Sequence, residues 1–175
     1  DFAFWGCMSL SSITIPSSVS FIGEYAFAYC DKLTSAIVPN GITSIGTGLF
    51  QGCYDLSSVV IPDAVDSIGE SALAFCSSLL SVELPKGVVY IGAGAFQGCS
   101  AMSSIVIPDG ITAIENNTFQ NCTGLTSIVI PEGVTFIGCY AFKGCTGLIT
   151  VDIPSTVCPI NHESFVDCSS LKSMV

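Results

Sequence analysis

The chain has no arginine, four lysines and a single histidine, and only 10% of its 175 residues are charged. Nucleic-acid binding is the first function this poverty excludes. Neutralising phosphates takes a basic patch, and a chain of net charge −10 has no material for one. Anionic membrane surfaces are disfavoured on the same ground. With His162 alone, no set of nucleophile, base and orienter can be assembled from any recognised spacing. The sequence therefore reads as non-catalytic, and His162, at a variable position, as a solvated turn residue. Cysteine clusters of the zinc-binding kind are missing, and no cofactor or metal is expected. Asp63, Asp66 and Glu70 form the densest acidic group, but they lack the glycine-spaced alternation of a calcium loop and read as a solvated edge. No apolar run approaches about 18 residues, so no membrane insertion is expected within this segment. No secretory leader opens the chain. It starts at D-F-A-F-W-G-C and stops at L-K-S-M-V, each inside a repeat, and is read as a piece of a longer protein.

What is present is apolar and periodic. Half of the residues are hydrophobic, enough for a core and against disorder. Cysteines fall at 7, 30, 53, 76, 99, 122, 145 and 168, every gap being 23. Prolines keep the same step from Pro16 to Pro154, isoleucines from Ile22 to Ile160. Leu10, Leu33, Leu56, Leu79, Met102, Leu125, Leu148 and Leu171 form a fourth column. Phe4, Phe27, Phe50, Leu73, Phe96, Phe119, Phe142 and Phe165 form a fifth. No insertion breaks the register. Such a period is the mark of a stacked-repeat architecture.

One unit reads L-x-S-I-x-I-P-x-G-V-x-x-I-G-x-x-A-F-x-G-C-x-x. In L-T-S-I-V-I-P the alternation predicts a strand, with Leu125, Ile128 and Ile130 inward and Ser127 and Val129 outward. Proline ends the strand because it removes a ladder donor. Pro-Asp-Gly at 108–110 and Pro-Asn-Gly at 39–41 are turn chemistry. V-x-x-I-G predicts a short extended or 3₁₀ segment, and A-F-x-x-C a compact helical turn. A unit this small cannot bury its own apolar face, whereas stacked units cover one another with ladders of identical side chains. The expected fold is a single solenoid over residues 1–175, of about seven repeats, with one continuous parallel sheet and no long helices.

L-x-x-I-x-I resembles the leucine-rich repeat unit L-x-x-L-x-L. With I-P after the strand, V-x-x-I-G and A-F-x-x-C, the whole chain is similar to the BspA-like leucine-rich repeat family. The resemblance implies a right-handed stack with short turns or 3₁₀ segments opposite the sheet. It also implies a setting in surface proteins, hence a cell-surface or secreted location. Ala36 departs from the usual Ile or Val, and Glu115 and Asn161 replace the glycine. Glu115, Asn116 and Asn117 together predict one irregular turn.

The 23-residue cysteine spacing argues against disulfides. Bridged Cβ atoms lie about 3.8 Å apart, and stacked rungs hold them farther. The column cysteines are therefore expected to be buried, reduced and packed like small hydrophobes. Cys139 and Cys158 lie outside the column, offset by four residues in adjacent units. They read as unbonded thiols, with a disulfide as the alternative.

Function is legible as a class. The outward strand columns are Ser12, Ser35, Ser58, Ser81, Ser104, Ser127, Thr150 and Ser173, beside Thr14, Ile37, Val60, Glu83, Val106, Val129, Asp152 and Val175. The resemblance makes this the face that meets partners. Contiguous exposed apolar area marks interaction sites, although Val and Ile also simply favour strands. The expected contact residues are Ser81, Glu83, Ser104, Val106, Ser127, Val129, Thr150 and Asp152, with the two carboxylates giving a partner charge register. The expected role is a recognition or adhesion module for a protein or glycan. The alternative is a structural subunit or scaffold that self-assembles in a filament, coat or large complex. Two N-x-T sequons, at Asn116 and Asn121, are candidate glycosylation sites.

Overall fold

The computed structural model describes residues 1–174. Its strands are short and all parallel: β1 Ser35–Ile37, β2 Ser44–Ile45, β3 Ser58–Val60, β4 Ser67–Ile68, β5 Tyr90–Ile91, β6 Ala113–Ile114, β7 Ser127–Val129, β8 Phe136–Ile137, β9 Thr150–Asp152 and β10 Ser173–Met174. The pairings β1–β3, β7–β9 and β9–β10 build one face, and β2–β4, β4–β5 and β6–β8 build a second. Every register step is one repeat: Ser35 lies on Ser58, Ser127 on Thr150, Ile114 on Ile137. The chain is a β-solenoid, and no described residue is helical.

Two features differ from the expected single continuous sheet. V-x-x-I-G takes the extended option and forms its own ladder, so the rungs that begin at Ser35, Ser58 and Ser127 carry two strand segments each. The first face is also interrupted. Residues 81–83 and 104–106 keep the exposed–buried–exposed alternation but form no strand ladder with the neighbouring rungs. The bonds at the entry to these rungs are long, 3.4 Å from the Leu80 amide to the Ser57 carbonyl and 3.3 Å from the Ser103 amide to the Leu80 carbonyl.

Local chemistry explains each corner. Each proline carbonyl from Pro16 to Pro154 accepts the amide three residues on, as in Pro108 with Ile111 at 3.1 Å. That bond closes a β-turn, for which proline pre-sets φ. After the second strand the chain turns twice more, and both turns use left-handed backbone. One column of positive φ runs through Phe2, Tyr25, Gly48, Ser71, Gly94, Asn117, Tyr140 and Glu163. The other runs through Gly6, Tyr29, Gly52, Phe75, Gly98, Asn121, Gly144 and Asp167. Left-handed residues cannot continue a helix, so A-F-x-x-C folds as turns. Asn117, with φ 58°, repeats the conformation of its column, and the irregular turn expected there is regular.

The core is the inward columns. Phe96, Phe119 and Phe142 are fully buried, stacked nearly parallel with centroids 5.6 and 5.4 Å apart. Leu33, Leu56, Leu79, Leu125 and Leu148 lie beside them at 0% exposure. Burying each such side chain stabilises by about 1.5–3 kcal/mol. Ala36 is buried like its neighbours.

Candidate functional site

The first face presents its outward residues as expected. Ser81, Glu83, Ser104, Val106, Ser127, Val129, Thr150 and Asp152 are all exposed. Val106 is 82% and Val129 63% exposed, while Ile105 and Ile128 between them and the core are buried. Strand alternation causes this split. Ile37 and Val60 extend the apolar column toward the N-terminal rungs, and Val175 lies outside the described residues. The structure places the expected residues on one face but in two strand contexts. Ser127, Val129, Thr150 and Asp152 sit in β7 and β9; Ser81, Glu83, Ser104 and Val106 sit in the interrupted stretch.

Hydroxyl groups on this side of the chain divide into two kinds. Two just before the strand are used internally: Ser57 donates to the Thr34 carbonyl at 3.1 Å and Thr34 to the Ser11 carbonyl at 3.3 Å. The hydroxyls of Ser81, Ser104, Ser127 and Thr150 have no internal partner among the described residues. They are free donors and acceptors for a ligand.

The column cysteines are structural. Cys30, Cys53, Cys76, Cys99, Cys122 and Cys145 are buried, Cys168 is half-buried and Cys7 in the first rung is exposed. Each thiol from Cys30 to Cys168 donates to the carbonyl 26 residues back, as Cys53 to Phe27 at 3.1 Å and Cys145 to Phe119 at 3.0 Å. That carbonyl also accepts an amide of its own rung, Cys30 in the case of Phe27. The thiol thus ties one rung to the next. Burial pushes the Cys53, Cys99 and Cys145 thiols from 9.0 up to about 12. Burial likewise raises the Cys76 and Cys122 thiols well above the ordinary 9.0. A thiol held protonated is an inert donor and not a nucleophile. Cys139 and Cys158 are also free, the second fully at the surface.

The remaining candidates are dispersed. His162 is exposed and contacts Glu163 at 2.8 Å. Asp63, Asp66 and Glu70 are exposed along one rung, and Asp66 accepts the Ser67 hydroxyl at 2.8 Å. Among the described residues no group of three or more His, Cys, Asp or Glu could hold a metal ion. No helix there is long and apolar enough to cross a membrane. Asn116 and Asn121 are both exposed, away from the first face. The Asn116 Oδ1 accepts the Cys139 amide at 2.8 Å, while Thr118 of that sequon is buried.

Sequence reasoning missed two things. One is the pair of left-handed columns. The other is that the prolyl turns carry carboxylates beside the sheet face: Asp109 and Glu132 border one groove with Asp152 of β9. Both had a signal. The glycine of F-x-G-C recurs only at every second rung, and Asp or Glu recurs after Pro62, Pro108 and Pro131.

A family model described as a BspA type leucine-rich repeat region matches in 6 copies, over residues 1–126 and 90–175. A leucine-rich repeat protein from Bacteroides ovatus is 29% identical at a TM-score of 0.78, over 99% of this chain and 57% of that one. A leucine-rich cell surface protein from Faecalibacterium prausnitzii is 27% identical at 0.55, over 99% of this chain and 67% of that one. A leucine-rich repeat protein from T. pallidum is 25% identical at 0.81, over 93% and 78%. The chain thus spans little more than half the length of the Bacteroides protein. No curated protein matches.

Proposed function

The chain belongs to the BspA type leucine-rich repeat family, and from that premise we propose that it is a non-catalytic recognition module which binds a partner protein through its first sheet face. One observation carries the reading. The outward strand residues are exposed, apolar at Val106 and Val129, and flanked by hydroxyls without internal partners. Such a surface offers apolar contact and hydrogen bonding together. The proposed contacts are Ser81, Glu83, Ser104, Val106, Ser127, Val129, Thr150 and Asp152. A cell-surface or secreted setting fits the Faecalibacterium neighbour, described as a cell surface protein. Burial also protects the thiols from Cys30 to Cys122, and Cys145, from oxidation there. Glycans on Asn116 or Asn121 would leave the sheet face open.

The test is capture of partners from the native source. Val106→Lys with Val129→Lys should keep the fold, because a Lys stem can lie along a surface with its charge in water. It should weaken capture at least about tenfold, since charge is depleted in interface cores. Glu24→Gln with Glu70→Gln, on the second face, should leave capture unchanged. A partner insensitive to the Val106 and Val129 changes would refute the reading. Light scattering over a concentration series addresses the scaffold alternative, for which the chain would assemble with itself instead of remaining monomeric.

A further inference from the structure

The outward column of the first face is patterned. Ile37 and Val60 precede Glu83, and Val106 and Val129 precede Asp152, so two apolar rungs lead to each carboxylate. All of these side chains are exposed. Glu83 and Asp152 stand three rungs apart, roughly 14 Å at the ordinary strand spacing. The prolyl turns widen the acidic band. Asp109 and Glu132 share the groove of Asp152, whose floor includes Val129, Ile130 and Pro131. Asp63 shares another groove with Glu83. None of these carboxylates has a cation within 4.0 Å among the described residues, where the ion pairs are Lys32–Asp55, Lys143–Glu163 and His162–Glu163. Lys86, in the groove of Glu83, is the one cation of the band. Like charges left unpaired along a surface repel, and they favour a partner of the opposite sign.

We propose that the occupant of this face is an extended basic segment of the partner protein. The segment runs along the stack, with Lys or Arg at every fourth residue and an apolar side chain midway. The proposal rests on the sheet-face reading above and adds the partner's chemistry. Four residues of extended chain span about 13 Å, close to the step from Glu83 to Asp152. Residues i, i+2 and i+4 of such a segment point the same way. Two cations then meet Glu83 and Asp152 while the side chain between them lies over Val106 and Val129. An acidic or neutral occupant would leave those carboxylates covered and unpaired, which disfavours it.

The probe is a synthetic peptide of repeated Lys-Thr-Val-Thr, set against a peptide of the same composition with its lysines contiguous. Binding is read by fluorescence anisotropy at low ionic strength, where exposed charges are little screened. The repeated peptide should bind roughly five- to tenfold tighter than the contiguous one. Glu83→Gln with Asp152→Asn should abolish that preference. Glu24→Gln with Glu70→Gln removes the same charge from the second face and should preserve it. Equal binding of the two peptides, absence of binding, or equal loss in both double variants would overturn the proposal. A native partner lost with Val106→Lys and Val129→Lys but indifferent to Glu83 and Asp152 would also overturn it, and would leave the sheet-face reading standing.

Discussion

A thiol buried without ionising couples stability to alkaline pH. In the folded chain the Cys53, Cys99 and Cys145 thiols titrate near 12, because burial disfavours the thiolate. In the unfolded chain they titrate near their ordinary 9.0. Above pH 9 the unfolded state therefore binds fewer protons than the folded one, and stability falls as pH rises. The contribution is whole below pH 9 and is lost progressively toward pH 12. Urea midpoints measured at pH 8 and at pH 10.5 should show this drop. Replacing Cys53, Cys99 and Cys145 by Ala should make the decline shallower, at a cost in stability at pH 8 from the lost packing and rung-to-rung hydrogen bonds. A slope unchanged by the triple variant would show that other groups cause it. Much of this was legible in the sequence, since a 23-residue spacing of cysteines fixes both their stacking and their inward side. The acceptor was not legible. That the thiol reaches the carbonyl 26 residues back, of Phe27, Leu73 or Phe119, depends on how the last turn of each rung is wound.

At the scale of the turn, large side chains and glycines alternate. Tyr29, Phe75 and Asn121 each take positive φ and lean over Gly52, Gly98 and Gly144 of the next rung. A Cβ on Gly98 would lie 2.7 Å from a ring carbon of Phe75, and on Gly52 2.6 Å from one of Tyr29. Gly98→Ala should thus destabilise by about 1–3 kcal/mol, combining left-handed strain with the clash. In Phe75→Ala the same change should cost less, because only the φ penalty remains. A double-mutant cycle by urea unfolding measures the difference, and additive costs would show that the ring does not press on the glycine. A one-unit consensus hides this pattern. It averages neighbouring rungs, so Gly6, Gly52, Gly98 and Gly144 look like one preference instead of every second term of a series. The interruption of the first face at 81–83 and 104–106 was hidden for another reason. It turns on tenths of an ångström in hydrogen-bond length, and the side-chain alternation there is undisturbed.

Across the whole molecule, the repeat made the architecture and the inward columns readable, because every column reports its environment many times over. The acidic border of the sheet face was less readable. Asp109 and Glu132 lie in the turns and Asp152 in a strand, and only the path of the chain brings them to one groove. The alternation of ring and glycine also reaches beyond packing, into how such a gene can change length. Losing or copying a block of two rungs, 46 residues in the spacing of this column, returns each leaning side chain to a glycine. Losing one rung sets Phe75 against Asn121, or one glycine against another. The length change that keeps this packing is therefore the pair, and chains shortened by 46 residues should unfold at higher urea than chains shortened by 23.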